Sequence, residues 1–173
     1  MEFEEKQSLK LWWLYLVIGV TIFPTLALLI FQKNGPSLTE LKRMYFAPLW
    51  AIFLPFVIVF LVQQSKLTLK INAEGLSYRY FPFHFKPSHF RWMSIEKAYI
   101  RKFDAFSEYG GYGVKIRLWF KFRDKAFILN DKNRGLQLEF KSGKKLLFSS
   151  NKIEDLEMFL INLKTRYNIQ AIQ

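Results

Sequence analysis

Two long segments without a charged residue, residues 11–31 and 44–62, constrain the fold of this chain more than any other feature. As helices they would extend about 31 Å and about 28 Å, because an α-helix rises 1.5 Å per residue. A bilayer's hydrocarbon core is about 30 Å thick. Aromatic residues stand near the start of each segment, as is typical of a membrane–water interface. The pattern therefore predicts two transmembrane helices that serve as an anchor.

Basic residues near these segments predict an orientation. The connecting loop, residues 32–43, carries three of them, whereas the flanking chain on the other side carries five (Lys6, Lys10, Lys66, Lys70 and Arg79). Positive charge concentrates on the cytoplasmic side of membrane proteins. We therefore expect a multi-pass protein of the cell (inner) membrane with both termini cytoplasmic. Residues 1–10 form a cytoplasmic tail in this interpretation, and residues 32–43 form a short external loop.

The rest of the chain has the pattern of a mainly-β domain over residues 66–167. Residues 66–72 alternate polar and apolar, as a half-buried strand does. Several further segments alternate in the same way, with Gly- or Pro-containing turns between them. From Ile153 the apolar spacing changes to three and four residues, which is typical of an amphipathic helix. About seven antiparallel strands followed by one C-terminal helix are expected.

The whole chain has a formal net charge of +12, and most of its positive charge lies in this second part. Residues 114–123 alternate without a break, which predicts a single strand with one apolar face. Its other face carries Lys115, Arg117, Trp119, Lys121 and Arg123. Such a row is suited to binding anionic lipid, and each basic residue near an anionic leaflet contributes about 1 kcal/mol of binding free energy. An ordinary solvated strand face is the alternative interpretation.

Several segments in order resemble the bacterial pleckstrin-homology-like (PH-like) domain family. They are residues 109–115, 133–138 and 142–150, together with the Trp-Met-Ser-Ile sequence of residues 92–95. The resemblance covers roughly residues 66–164, and the small integral membrane members of the family have a similar layout. It implies a seven-stranded bent sheet with a C-terminal helix, and no established reaction.

The sequence offers no candidate for catalysis, for a cofactor or for a metal site. It has no cysteine, and the spacing of its two histidines, His84 and His89, does not match a helical metal-binding motif. The hypothesis is a membrane-anchored, non-enzymatic interaction module that binds membrane lipids or a membrane protein partner, and not nucleic acid. The alternative is an accessory subunit of a transport or export system.

Overall fold

The computed structural model describes residues 1–9, 13–31, 37–43, 47–118 and 121–173. The chain divides into two compact units. One unit comprises Lys10–Gln64, and the other joins Met1–Leu9 to Ser65–Gln173. The helical unit is therefore an insertion in the sequence of the second, β-rich unit.

The helical unit contains α1 (Trp13–Phe31), α2 (Leu38–Arg43) and α3 (Ala47–Gln64). Helices α1 and α3 pack against each other. A hydrogen bond from Gln63 Nε2 to the hydroxyl of Tyr15, 2.6 Å long, also joins them. Several of their apolar side chains are exposed, Phe23 by 77%.

Among the residues that the structure describes, no helix has both the length and the apolar character needed to cross a membrane. Helix α1 has 19 residues and α3 has 18, the last two being glutamines, so both are shorter than the predicted spans. The prediction of transmembrane helices over residues 11–31 and 44–62 is therefore wrong. The multi-pass location in a cell (inner) membrane, with cytoplasmic termini, is wrong with it. Of the predicted external loop, residues 38–43 form α2, and residues 32–36 lie outside the described part.

The first sheet of the β-rich unit is antiparallel and has the order β1-β2-β3-β4. Its strands are β1 (Glu2–Ser8), β2 (Lys66–Asn72), β3 (Gly75–Phe81) and β4 (Ser88–Arg91). Strand β1 pairs with β2 along its whole length, from Glu2 opposite Asn72 to Ser8 opposite Lys66. Residues 2–8, expected to belong to a tail, are thus an edge strand of this sheet.

The second sheet has the order β5-β8-β9-β7-β6. Its strands are β5 (Ile95–Lys102), β6 (Gly113–Arg117), β7 (Lys121–Ile128), β8 (Arg134–Phe140) and β9 (Lys145–Ser149). Strands β7 and β9 are parallel, and the other pairs are antiparallel. This parallel pair arises because β8 pairs with the distant β5, and β9 returns between β8 and β7. The described residues of this unit also form two α-helices, α4 (Ala105–Tyr109) and α5 (Ile153–Tyr167), and a short 3-10 helix at Trp92–Ser94.

The predicted fold class therefore needs correction. The described residues form nine strands in two sheets rather than about seven antiparallel strands, and helices lie between strands as well as at the end. The C-terminal helix itself is confirmed, because α5 buries Ile153, Leu156, Leu160 and Leu163 as its spacing predicts. The last residues return to the second sheet, where Ile172 bridges Ala98 of β5.

Apolar side chains from both sheets and from α5 form the main core. Leu67, Leu69 and Ile71 of β2 are fully buried there, together with Leu136, Leu138, Leu146, Phe148, Leu156 and Leu163. A second, smaller cluster lies under α4 and comprises Phe103, Ala105, Tyr109, Ala126, Ile128 and Leu147. The second sheet is therefore covered by apolar contacts on both of its faces.

Buried polar side chains of β1 fix this strand to the junction between β9 and α5. The carboxylate of Glu5, 2% exposed, accepts hydrogen bonds from the Ser150 hydroxyl at 2.6 Å and from the Asn151 backbone N–H at 2.7 Å. Gln7 Nε2 donates to the carbonyl of Ser149 at 2.6 Å. Since a buried polar group is costly when it lacks a partner, these bonds select one position for β1.

We predict that the β-rich unit folds when a two-residue Asn-Gly turn replaces residues 9–65. Ser8 and Lys66 are paired neighbours, and Asn-Gly is suited to a two-residue hairpin turn. A chain of residues 66–173 alone loses the burial of Phe3 and the partners of Ser150 and Asn151. We expect it to be at least about 3 kcal/mol less stable than the joined chain in urea unfolding. Equal stability of the two chains would show that β1 contributes nothing.

Candidate functional site

The predicted single strand over residues 114–123 is a hairpin. Strand β6 ends at Arg117 and β7 begins at Lys121, and these two residues pair with each other. Trp119, which the sequence placed on the basic row, lies outside the described residues, as does Phe120. The prediction of one continuous strand is wrong. Both arms of the hairpin have the same polar–apolar alternation, and the sequence between them contains no Gly, Pro or Asn that would indicate a chain reversal.

Strand pairing distributes the predicted basic row over two faces. Ile116 lies opposite Lys125, and Lys115 lies opposite Ala126. Because directly opposed residues share a face and alternate residues do too, Lys115 and Arg117 lie on the face of Asp124. Val114, Ile116 and Lys125 lie on the other face. The register shifts between Ile116 and Arg117, so Arg123 is placed by its guanidinium, which lies next to Gly143. Lys121 is placed by its backbone at the start of β7. The predicted binding role of the five residues stays a prediction.

Arg117 is part of an ion-pair network that joins α4 to the second sheet. Its guanidinium lies 3.2 Å from a carboxylate oxygen of Asp124 and 3.2 Å from one of Glu108. Glu108 also accepts two hydrogen bonds from Arg101, at 3.0 Å and 3.1 Å. Two arginines thus face two carboxylates, so the charge of Arg117 is compensated locally.

Tyr109 completes this network from the buried side of α4. Its hydroxyl donates to Asp124 at 3.2 Å and accepts from Arg101 at 2.9 Å. Burial, followed by the negative charge of Asp124, raises the pKa of Tyr109 to about 12. Burial also acts to raise the pKa of Glu108. The hydrogen bonds from Arg101 and from the Asp104 backbone N–H, with the positive charges of Arg101 and Arg117, outweigh burial and leave that pKa lowered. The network thus joins α4 to the second sheet by ion pairs and hydrogen bonds between partly buried groups.

The opposite face of the hairpin is different, and we call it the cationic face. It consists of Val114, Ile116, Arg123, Lys125 and Lys144. Lys144 belongs to it because Leu146, two residues later, lies opposite Lys125 in the parallel pair. Val114 and Ile116 are each 44% exposed, and Arg123 and Lys125 are exposed as well. Apolar and basic side chains therefore reach solvent together on this face.

The three cations of the cationic face have no acidic partner among the described residues. Within the described ranges, no carboxylate lies within ion-pair distance of Arg123, Lys125 or Lys144. The amino group of Lys144 instead lies 5.3 Å from the ring centre of Phe90 and 5.9 Å from that of Phe140. Partial burial, followed by the positive charge of Lys125, lowers the pKa of Lys144. Positive charge is thus concentrated here without compensation.

The sequence did not single out Lys125 and Lys144 as binding residues. The sequence feature that could have indicated Lys144 is the turn Lys141-Ser-Gly-Lys-Lys145, in which Gly143 has a φ of 79°. Lys125 was not recognised as a member of this basic surface because the predicted strand ended at residue 123. The proximity of the two lysines depends on the parallel pairing of β7 and β9, which a local pattern does not reveal.

The two histidines, His84 and His89, have different surroundings. His84 packs its ring near Tyr78 and Phe127, with centroid distances of 5.7 Å and 6.3 Å, and its buried Nδ1 has no hydrogen-bond partner among the described residues. His89 is exposed on β4. In the part of the chain that the structure describes, no group of three or more His, Asp or Glu side chains is arranged to hold a metal ion.

Comparison of the chain with protein-family models gives no match. Comparison with curated proteins gives no match either. The PH-like resemblance therefore stays a prediction, and a function has to be argued from the site itself.

We predict a loss of stability between pH about 10, the ordinary pKa of tyrosine, and pH about 12, the pKa of Tyr109 in the folded protein. The folded state keeps the phenolic proton in this range while the unfolded chain releases it, so the stabilisation present below pH about 10 declines as the pH rises. Urea unfolding of the wild type and of Tyr109→Phe, repeated across this range, measures the effect. The wild type should lose stability more steeply. Parallel curves would show that Tyr109 titrates normally.

Proposed function

We propose that this protein is a non-enzymatic interaction module that binds anionic lipid head groups through the cationic face. The observation that carries the proposal is a group of three cations, unpaired with any carboxylate of the described residues, beside exposed Val114 and Ile116. Cations attract the head groups, and small apolar side chains enter the adjoining interface. This is a surface contact and requires no membrane-spanning segment.

The expected affinity is modest. Each Lys or Arg close to an anionic leaflet contributes about 1 kcal/mol, so three contribute about 3 kcal/mol. Exposed charges are screened by salt over about 10 Å at 0.1 M ionic strength. Binding that depends on these cations should therefore weaken as salt rises. Arg117, in contrast, should contribute little to lipid binding because its charge is already compensated by its ion pairs.

The same surface chemistry would suit a protein partner that presents a cluster of carboxylates. A lipid surface is the better candidate because Val114 and Ile116 are exposed beside the cations. At the boundary between head groups and acyl chains, the basic side chains contact head groups while the apolar side chains contact acyl chains. Binding to an acidic protein rather than to lipid is therefore the alternative that the vesicle experiment tests.

We predict that replacing Arg123, Lys125 and Lys144 by Gln weakens binding of the full chain to anionic vesicles by about 100-fold. The vesicles contain phosphatidylcholine with phosphatidylserine, and phosphatidylcholine alone serves as the neutral reference. The matched control replaces Lys97, Lys102 and Lys164, which are exposed elsewhere, by Gln and so changes the net charge equally.

The control should bind nearly as tightly as the wild type at low salt. Equal weakening by both triple variants would mean that net charge alone matters, and would contradict a specific role for the cationic face. Wild-type binding that is the same for neutral and anionic vesicles would contradict the proposal as a whole.

A further inference from the structure

The loop between β3 and β4, residues 82–87, carries two exposed phenylalanine side chains, and we call it the aromatic loop. Phe83 is 65% exposed and Phe85 is 81% exposed. The ring of Phe83 stacks on that of buried Tyr80, with centroids 5.6 Å apart and ring planes inclined by 7°. The His84 backbone N–H donates to the Tyr80 carbonyl at 2.7 Å and closes the loop. The aromatic loop thus presents a fixed apolar surface to solvent.

The aromatic loop adjoins the cationic face. The rings of Tyr80 and His84, at its base, lie 6.0 Å and 6.3 Å from the ring of Phe127. Phe127 lies opposite Val114 and is two residues from Lys125, so it shares their face of the second sheet. Alternate residues of a strand are about 6.7 Å apart. The aromatic loop therefore lies beside the cations of the cationic face.

The charge around the aromatic loop is positive. Residues 75–95 contain no Asp or Glu, and they include Arg79 and Lys86, both of which are exposed. Lys66, which lies opposite Phe81 at the end of β3, is exposed as well. In the described part of the chain, none of these three cations forms an ion pair. A partner of this surface should therefore be both anionic and apolar.

We infer that the aromatic loop inserts Phe83 and Phe85 into the interface of an anionic bilayer, while Lys86 and the cationic face contact the head groups. This inference rests on the proposed function and identifies the segment that enters the membrane. Clustered exposed apolar side chains mark interaction sites, and aromatic rings are enriched where head groups meet acyl chains. Basic side chains beside them gain from the negative surface potential of the same bilayer.

Phe106 provides a matched control for the two loop phenylalanines. It is 65% exposed, as Phe83 is, but it belongs to α4, which covers the other face of the second sheet. Its neighbour Asp104 is exposed at the start of that helix and adds negative charge. An anionic bilayer should therefore not accept the ring of Phe106.

The first test measures binding of the full chain to the phosphatidylserine vesicles. Replacing Phe83 and Phe85 together by Ser should weaken binding at least about tenfold, since the two rings no longer leave water on binding. Phe106→Ser should bind like wild type. Raising the salt should change the ratio between wild type and the double variant little, because salt screens charge. Urea unfolding checks that each variant keeps the fold, and Phe85→Ser alone, at the more exposed position, should weaken binding in the same direction.

The second test uses the absence of cysteine from the chain. Phe85→Cys and Phe106→Cys each provide one thiol for an environment-sensitive nitrobenzoxadiazole label. When phosphatidylserine vesicles are added, emission from the label at position 85 should increase and shift to shorter wavelength. Lipids with nitroxide groups on their acyl chains should quench it. The label at position 106 should show neither effect.

The outcomes separate this inference from the proposed function. If the wild type binds anionic vesicles, unchanged binding by the double variant or unchanged emission at position 85 would overturn the inference alone, as expected if the aromatic loop contacts a protein. Equal quenching at positions 85 and 106 would show unspecific adsorption and would overturn it too. Failure of the wild type to bind anionic vesicles would contradict the proposed function, and the inference with it.

Discussion

The pairing of β1 with β2 is the constraint on which the β-rich unit depends. The two strands are separated in sequence by the whole helical unit, yet they are in register from Glu2 to Ser8. The entropy of closing a long connection grows only slowly with its length, so the sheet tolerates this insertion. Hydrogen bonds from Glu5 and Gln7 to residues 149–151 then join the first strand to the junction of β9 and α5. The first sheet, the second sheet and the closing helix thus meet at buried polar contacts of β1.

The pairing of charges within the second sheet decides which cations are available to a ligand. On the face under α4, Arg101 and Arg117 are matched by Glu108 and Asp124, and the result is a structural contact. On the opposite face, Lys125 and Lys144 lie near each other, and no carboxylate in the described part of the chain is paired with either of them. A count of basic residues along the sequence treats these two groups alike. Only the strand register separates the cations that hold the fold from those that face solvent.

The sequence predicts those parts of this fold that depend on local periodicity. Helix α5 and strand β2 are of this kind, because their buried residues follow one regular spacing. Strand β1 was missed because two of its inward-facing residues are Glu5 and Gln7, so its alternation does not appear as an apolar pattern. The hairpin of β6 and β7 was missed because its turn lacks the usual residues. The lysine pair of the cationic face depends on parallel strand pairing, a long-range property with no local signal.

Hydrogen exchange of the β1 amides in the intact chain tests the central claim most directly. If β1 is an integral strand held by Glu5 and Gln7, the amides that it donates to β2 should exchange as slowly as those between β2 and β3, because one cooperative opening exposes both. Fast exchange in β1 alongside protection in β2 and β3 would contradict the account, since β1 would then be detached from a sheet that is stable without it.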